Sequence, residues 1–170
     1  MKRSGRTLKQ RLYGLKHLPS RVRRARHFRG HGVHSPYVYS IVRQVFMRRN
    51  LLNEDNALYD ALHKCGIAAR RCVQLDNLLH HCGYSSWRIN SLDRVDMLVA
   101  TLDVDVRGLA QYVDYAREHG ATLCIMDPYH NAERWQACKA LIEAHPSTTV
   151  DNRAYVLFFN NHLPLQRFVL

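Results

Sequence analysis

The chain has 170 residues, with 25 Lys+Arg, 14 Asp+Glu and a formal net charge of +11. That length suits one domain of the usual ~100–200 residues. A hydrophobic fraction of 46% and a charged fraction of 23% exclude an intrinsically disordered chain.

The charge is segregated. Residues 1–53 hold 14 Lys/Arg and no acidic residue, whereas residues 54–170 hold the other 11 basic and all 14 acidic residues, a net of −3. A basic arm on a mildly acidic body is not a uniformly basic nucleic-acid-binding domain, and the two parts call for separate functional readings. No stretch approaches the ~20 apolar residues needed to span a bilayer. The N-terminal charge is not followed by an apolar core and small residues, so no secretory signal is expected. The five cysteines, Cys65, Cys72, Cys82, Cys124 and Cys138, are odd in number and include no CxxC. They read as reduced thiols of a cytoplasmic protein, not as a disulfide framework or zinc ribbon. The 11 histidines include no HExxH. On a helix, His80 and His81 point about 100° apart, and no metal site is expected.

Taken in chain order, residues 1–30 read as a basic helical arm and 31–170 as a single α/β domain, helical over 31–92. In the arm, Leu8, Leu12, Leu15 and Leu18 recur at helical spacing, with Lys9, Arg11 and Lys16 elsewhere on the cylinder. Pro19-Ser20 ends that helix. A second basic run carries Arg21, Arg23, Arg24, Arg26 and Arg29. After Gly30-His31-Gly32, Ser35 is placed to cap a helix with Pro36 at its first position. Tyr37, Val38, Ile41, Val42 and Val45 form its apolar stripe, and Arg43, Arg48 and Arg49 occupy the rest, the last two near its C-terminus. Residues 56–82 read as two helices broken at Gly66, with Gly83 as a stop.

Trp87-Arg88-Ile89 is an ambiguous short strand, and Val95–Thr101 is a clear one. Val106–His119 is a helix with Leu109, Tyr112, Val113 and Ala116 on its inner face, ended by Gly120. Ala121–Met126 is a strand ending at Asp127-Pro128. A helix capped near Asn131 runs to Ala144 with Trp135, Cys138, Leu141 and Ile142 inward. Arg153–Phe159 and Leu165–Leu170 read as a final pair of strands, joined too briefly for a crossover and so antiparallel. Apolar strands alternating with helices imply a buried, largely parallel sheet.

The segment His31-Gly32-Val33-His34-Ser35-Pro36-Tyr37-Val38-Tyr39 resembles the N-terminal segment of a bacterial family of class I S-adenosylmethionine-dependent methyltransferases, related in fold to the O-methyltransferases. His31, Gly32, His34, Ser35 and Pro36 carry the motif. Val95–Thr101 resembles the family's fourth strand, Leu123–Asp127 its fifth, Trp135–Pro146 the next helix and Tyr155–Leu170 its last two strands, a hairpin. The resemblance covers about residues 27–50 and 93–170. It implies a partial Rossmann-like methyltransferase sheet, mostly parallel with an antiparallel C-terminal hairpin, behind a helical N-terminal extension.

The chain departs from the family where the cofactor would sit. The family's glycine-spaced turn after its first strand lets the backbone approach the cofactor. Here the eight glycines are Gly5, Gly14, Gly30, Gly32, Gly66, Gly83, Gly108 and Gly120, and none forms such a turn. Residues 67–93 leave no room for the strands of a cofactor-binding half. The divalent-cation ligands of related enzymes fall on Thr101 and Asp127-Pro128, so one acidic position of three is kept. The resemblance leaves Asp127 as ligand, general base or simple turn residue. His130, at the carboxyl end of the sheet, is the acid/base candidate or a solvated loop histidine.

Three functions follow. The first is a degenerate methyltransferase-like protein that neither binds S-adenosylmethionine nor transfers methyl groups. The second is a protein whose residues 1–29 dock on RNA, DNA or an anionic membrane surface, through phosphate contacts of the arginine run. The third is an active S-adenosylmethionine-dependent O-methyltransferase. Loss of strands would also leave a sheet edge through which the chain could form a homodimer.

Overall fold

The structure, a computed structural model, describes residues 33–161 and 163–170. The expected arm over 1–30, with its leucine stripe and its run from Arg21 to Arg29, lies outside the described residues, as do His31 and Gly32 of the motif. What is described is a mixed α/β fold with a six-stranded, mostly parallel sheet and five α-helices.

The first helix, α1 (Pro36–Ile41), opens as its residues dictate. Ser35 Oγ accepts a hydrogen bond from the Val38 amide at 3.4 Å, and Pro36 occupies the first turn, where no amide is needed. It runs directly into one π-helical turn, Val42–Phe46, and stops at Met47. Arg48 and Arg49 therefore follow the helix and do not belong to its last turn, a correction to the sequence reading. Helices α2 (Ala57–Lys64) and α3 (Ala69–His81) are separated at Gly66, whose φ of +78° a side chain would strain.

Strands β1 (Trp87–Ile89) and β2 (Met97–Ala100) follow, then a 3₁₀ turn (Val106–Gly108) leading into α4 (Leu109–Glu118). Next come β3 (Thr122–Met126) and α5 (Ala132–Ala144), whose N-cap Asn131 accepts from the Arg134 amide at 2.8 Å. Strands β4 (Thr149–Asp151), β5 (Tyr155–Phe158) and β6 (Arg167–Val169) complete the chain.

The sheet order is β1-β2-β3-β5-β4-β6. Every strand runs the same way except β5, which is antiparallel to both β3 and β4. Strands β2, β3 and β5 are buried along their whole length, which is why their sequences are nearly continuous apolar runs and not alternating ones. Side-chain parity then splits the core in two. Met97, Val99, Cys124, Met126, Tyr155 and Leu157 pack beneath α1, α2 and α3. Leu98, Ala100, Leu123, Ile125, Val156 and Phe158 pack beneath α4 and α5. Residues 67–92 thus supply both a helix over one face of the sheet and a short strand beside β2.

The expected C-terminal hairpin is placed differently. Strands β5 and β6 do run in opposite directions, but they are not paired: β4 lies between them, antiparallel to β5 and parallel to β6. The hairpin is β4–β5, closed by a turn in which Asp151 Oδ1 accepts from the Arg153 amide at 2.7 Å and Arg153 takes a φ of +58°. Because β5 is reversed, it delivers the chain to the end of the sheet where β6 begins. Residues 159–166 need only pass across β4, held there by Ser147 Oγ and Thr148 Oγ1 donating to the Leu163 and Pro164 carbonyls.

Helix α3 carries a buried polar stripe that fixes the loop before α2. Gln74 Nε2 donates to the Phe46 carbonyl at 2.9 Å, and Asn77 accepts from the Leu52 amide and donates to the Asn50 carbonyl. Asp76 Oδ1 accepts from the Tyr59 amide. His80 and His81 turn to different partners, the Asp55 carbonyl and Ser40 Oγ, as their 100° offset requires. All five cysteines are free thiols. No helix among the described residues is long and apolar enough to cross a membrane.

Candidate functional site

In open α/β sheets ligands bind beyond the carboxyl ends of the parallel strands. Here those ends are Asn90 after β1, Thr101 after β2 and Asp127 after β3. Beneath them lies Arg134, in the first turn of α5 and only 2% exposed. Its guanidinium donates to the Thr101 carbonyl at 2.9 Å, the Val104 carbonyl at 3.1 Å and the Met126 carbonyl at 3.1 and 3.3 Å. One cation thus collects the backbone acceptors where β2 and β3 leave the sheet. Burial pulls its pKa down, while Cys138 and Asp127 act to hold it up.

Above this support, β1 and β2 are stitched together. Asn90, at a φ of +58° that asparagine tolerates better than most residues, accepts from the Thr101 amide at 2.8 Å and donates to Thr101 Oγ1 at 2.8 Å. Thr101 Oγ1 in turn donates to Asp103 Oδ2 at 3.1 Å, which Asn90 Nδ2 also approaches at 3.3 Å. The residue after β1 therefore sends its side chain across to the end of the neighbouring strand β2. The positions Asn90-Ser91-Leu92 contain no glycine.

Asp127 is half-buried at a φ of +47°. Its amide donates to the Ala154 carbonyl at 2.8 Å, and its carbonyl accepts from the His130 amide at 3.0 Å, so residues 127–130 form one turn. Its charge acts on Arg71 at the start of α3 and on Arg134. His130 is exposed. The turn brings the two sequence-predicted acid/base residues together, but among the described residues no hydrogen bond joins their side chains. Tyr129 points elsewhere: its hydroxyl donates to Asp151 Oδ2, and its ring stacks on Trp135 with centroids 4.2 Å apart.

A second polar group bridges α3 to the sheet at the same end. The buried Tyr155 hydroxyl donates to Gln74 Oε1 at 3.3 Å and accepts from Asn152 Nδ2 at 2.9 Å. Arg71 donates to the same Gln74 oxygen at 2.7 Å. Burial pushes the Tyr155 hydroxyl far above the ordinary tyrosine range, so it stays neutral. Its role in this arrangement is to join a helix to a strand.

The cation-ligand positions taken from the resemblance do not converge. Thr101 Oγ1 is engaged with Asn90 and Asp103, and Pro128 brings no donor. Among the described residues no group of three or more His, Cys, Asp or Glu side chains is placed to hold a metal ion. Of the family motif, His34 is exposed, while Ser35 and Pro36 serve the start of α1.

Sequence reasoning did not single out Asn90, Arg134, Gln74 or Asp96. A signal for Arg134 existed, since it lies one turn before Cys138 on the inner face of α5. Asp96 stands at the opposite, amino end of β2. Its Oδ2 accepts from the amides and hydroxyls of both Ser85 and Ser86 at 2.8–2.9 Å. Burial raises its pKa, but those hydrogen bonds outweigh burial and hold the carboxyl below its ordinary value. No known protein family, curated protein or solved structure matches the chain.

Proposed function

We propose that the chain is a methyltransferase-like protein of the S-adenosylmethionine-dependent family that no longer binds the cofactor or transfers methyl groups. The observation that carries this reading is the Asn90–Thr101 pair. A nucleoside cofactor in such a fold needs a glycine-lined turn beyond a strand, so that backbone amides can approach it. At the turn after β1 the chain has Asn90-Ser91-Leu92, and the Asn90 amide group crosses to Thr101 with two 2.8 Å hydrogen bonds. These residues do not fit S-adenosylmethionine, and no methyl-transfer step is drawn through them. The mostly parallel sheet with helices on both faces suits the family reading, as does the His-Ser-Pro start of α1.

Calorimetric titration of the full chain with S-adenosylmethionine tests this. The expected result is no heat of binding. Micromolar binding would overturn it and favour an active O-methyltransferase, with Asp127 and His130 as its acid/base residues.

The segregated charge supports a second reading, polyanion binding through residues 1–29. Fourteen basic residues precede the first acid, Glu54, and phosphate contacts by such a run release counterions and weaken steeply with salt. Replacing Arg21, Arg23, Arg24, Arg26 and Arg29 by Gln is expected to remove most of the binding to anionic polymers or vesicles. Unchanged binding would exclude the arm as the contact.

A further inference from the structure

At the first helix the folded body carries three exposed basic residues, Arg43, Arg48 and Arg49. Val38, Ile41, Val42 and Val45 turn α1 and its π-turn into the core, leaving Tyr39, Arg43 and Met47 outward. These three are spaced by four residues and share a face; Arg43 Nη1 lies 3.7 Å from Met47 Sδ. Tyr39 is 44% and Met47 38% exposed, so this face offers apolar surface beside its cation. Arg48 leans on Gln44 at 3.0 Å, and Arg49 follows, also exposed. Among the described residues no carboxylate pairs with Arg43, Arg48 or Arg49.

We propose that this face, Tyr39, Arg43 and Met47, together with Arg48 just past the helix, seats on an anionic phospholipid surface. The proposal deepens the polyanion reading and rests on it. The argument for lipid is the mixture of groups. Arginines alone suit any phosphate and Tyr39 could stack on a base, but the exposed thioether of Met47 gains most from an apolar layer. The boundary between headgroups and acyl chains takes both kinds of group at once. The leucine stripe at Leu8, Leu12, Leu15 and Leu18, interleaved with Lys9, Arg11 and Lys16, has the same dual character. The net −3 of residues 54–170 opposes docking by the rest of the body and so favours this one orientation.

The test uses the full chain with vesicles of phosphatidylcholine containing phosphatidylglycerol, and with phosphatidylcholine alone. Sedimentation with the anionic vesicles only, lost at high salt, is the expected result. Arg43→Gln/Arg48→Gln, with unchanged circular dichroism, is expected to weaken that binding by roughly 25-fold, since each cation near an anionic surface contributes about fivefold. Tyr39→Trp should add emission that shifts to the blue on anionic vesicles.

If Arg43→Gln/Arg48→Gln binds as the parent does while the arginine-to-glutamine arm variant loses binding, this proposal falls and the arm reading stands. A chain that binds an RNA oligonucleotide and ignores the vesicles overturns the lipid assignment and leaves the polyanion reading in place. Binding to neither overturns both.

Discussion

The carboxyl end of the sheet and the outward face of α1 are both rich in polar groups, but they treat those groups in opposite ways. At the sheet end, Asn90, Thr101 and Asp103 bond one another, Tyr129 bonds Asp151, and Arg134 bonds three backbone carbonyls. On α1, the guanidinium groups of Arg43, Arg48 and Arg49 stand in solvent with no acidic partner among the described residues. A region whose hydrogen bonds are closed on themselves contributes stability and specifies shape. A region whose charges are left to water is the one with free energy to gain from a partner. Location alone, at the end of a parallel sheet, would have ranked them the other way.

This comparison can be broken by asking which substitutions change stability and which change binding. Arg134→Met should have the largest effect. It strands three buried carbonyls, and a loss of about 3 kcal/mol or more in urea unfolding is expected. A loss below ~1 kcal/mol would mean those acceptors find other donors. Asn90→Ala should come next, at about 2 kcal/mol, because it removes the partner of the Thr101 amide and places alanine at a positive φ. Neither substitution should alter vesicle or RNA binding.

Asp96→Asn sharpens the contrast from the amino end of β2. Hydrogen bonds from Ser85 and Ser86 hold the folded-state pKa of Asp96 below its unfolded value. The native state therefore binds fewer protons than the unfolded chain in that window, and stability rises with pH through it. The stability contributed by Asp96 is present above the unfolded pKa and is lost as pH falls through the lowered folded one. The variant should be less stable than the parent at neutral pH, by about 1 kcal/mol, and the difference should shrink in acid. A difference independent of pH would assign the effect to packing. Arg43→Gln should be the smallest of all in stability, within about 0.5 kcal/mol.

The elements that local chemistry dictates were readable in advance. Ser35-Pro36 and Asn131 start helices as caps should, and Gly66, Gly83 and Gly120 all take positive φ where helices end. The short apolar runs at Met97–Ala100 and Leu123–Met126, bounded by turn residues, read as buried strands and are so. What escaped were features set by distant partners. Strand β4 is three residues, Thr149-Val150-Asp151, too short and too polar to announce itself, and without it β5 and β6 looked like neighbours. Asn90 reads as an ordinary loop asparagine until β2 lies beside it. Arg134 has the composition of a surface residue, and only the converging ends of β2 and β3 make its burial favourable. The turn carrying Asp127 and His130 follows β3 at the sheet end, as an Asp-Pro after an apolar run suggests, but the sequence holds no sign that Asn90 and Thr101 engage each other beside it.

The most direct test of the closed sheet end is hydrogen exchange at the Thr101 amide, followed in the full chain with and without S-adenosylmethionine. Bonded to Asn90 Oδ1 at 2.8 Å on a buried residue, that amide should exchange slowly and at the same rate in both samples. Rapid exchange in the free chain, or protection gained only when S-adenosylmethionine is added, would contradict the account.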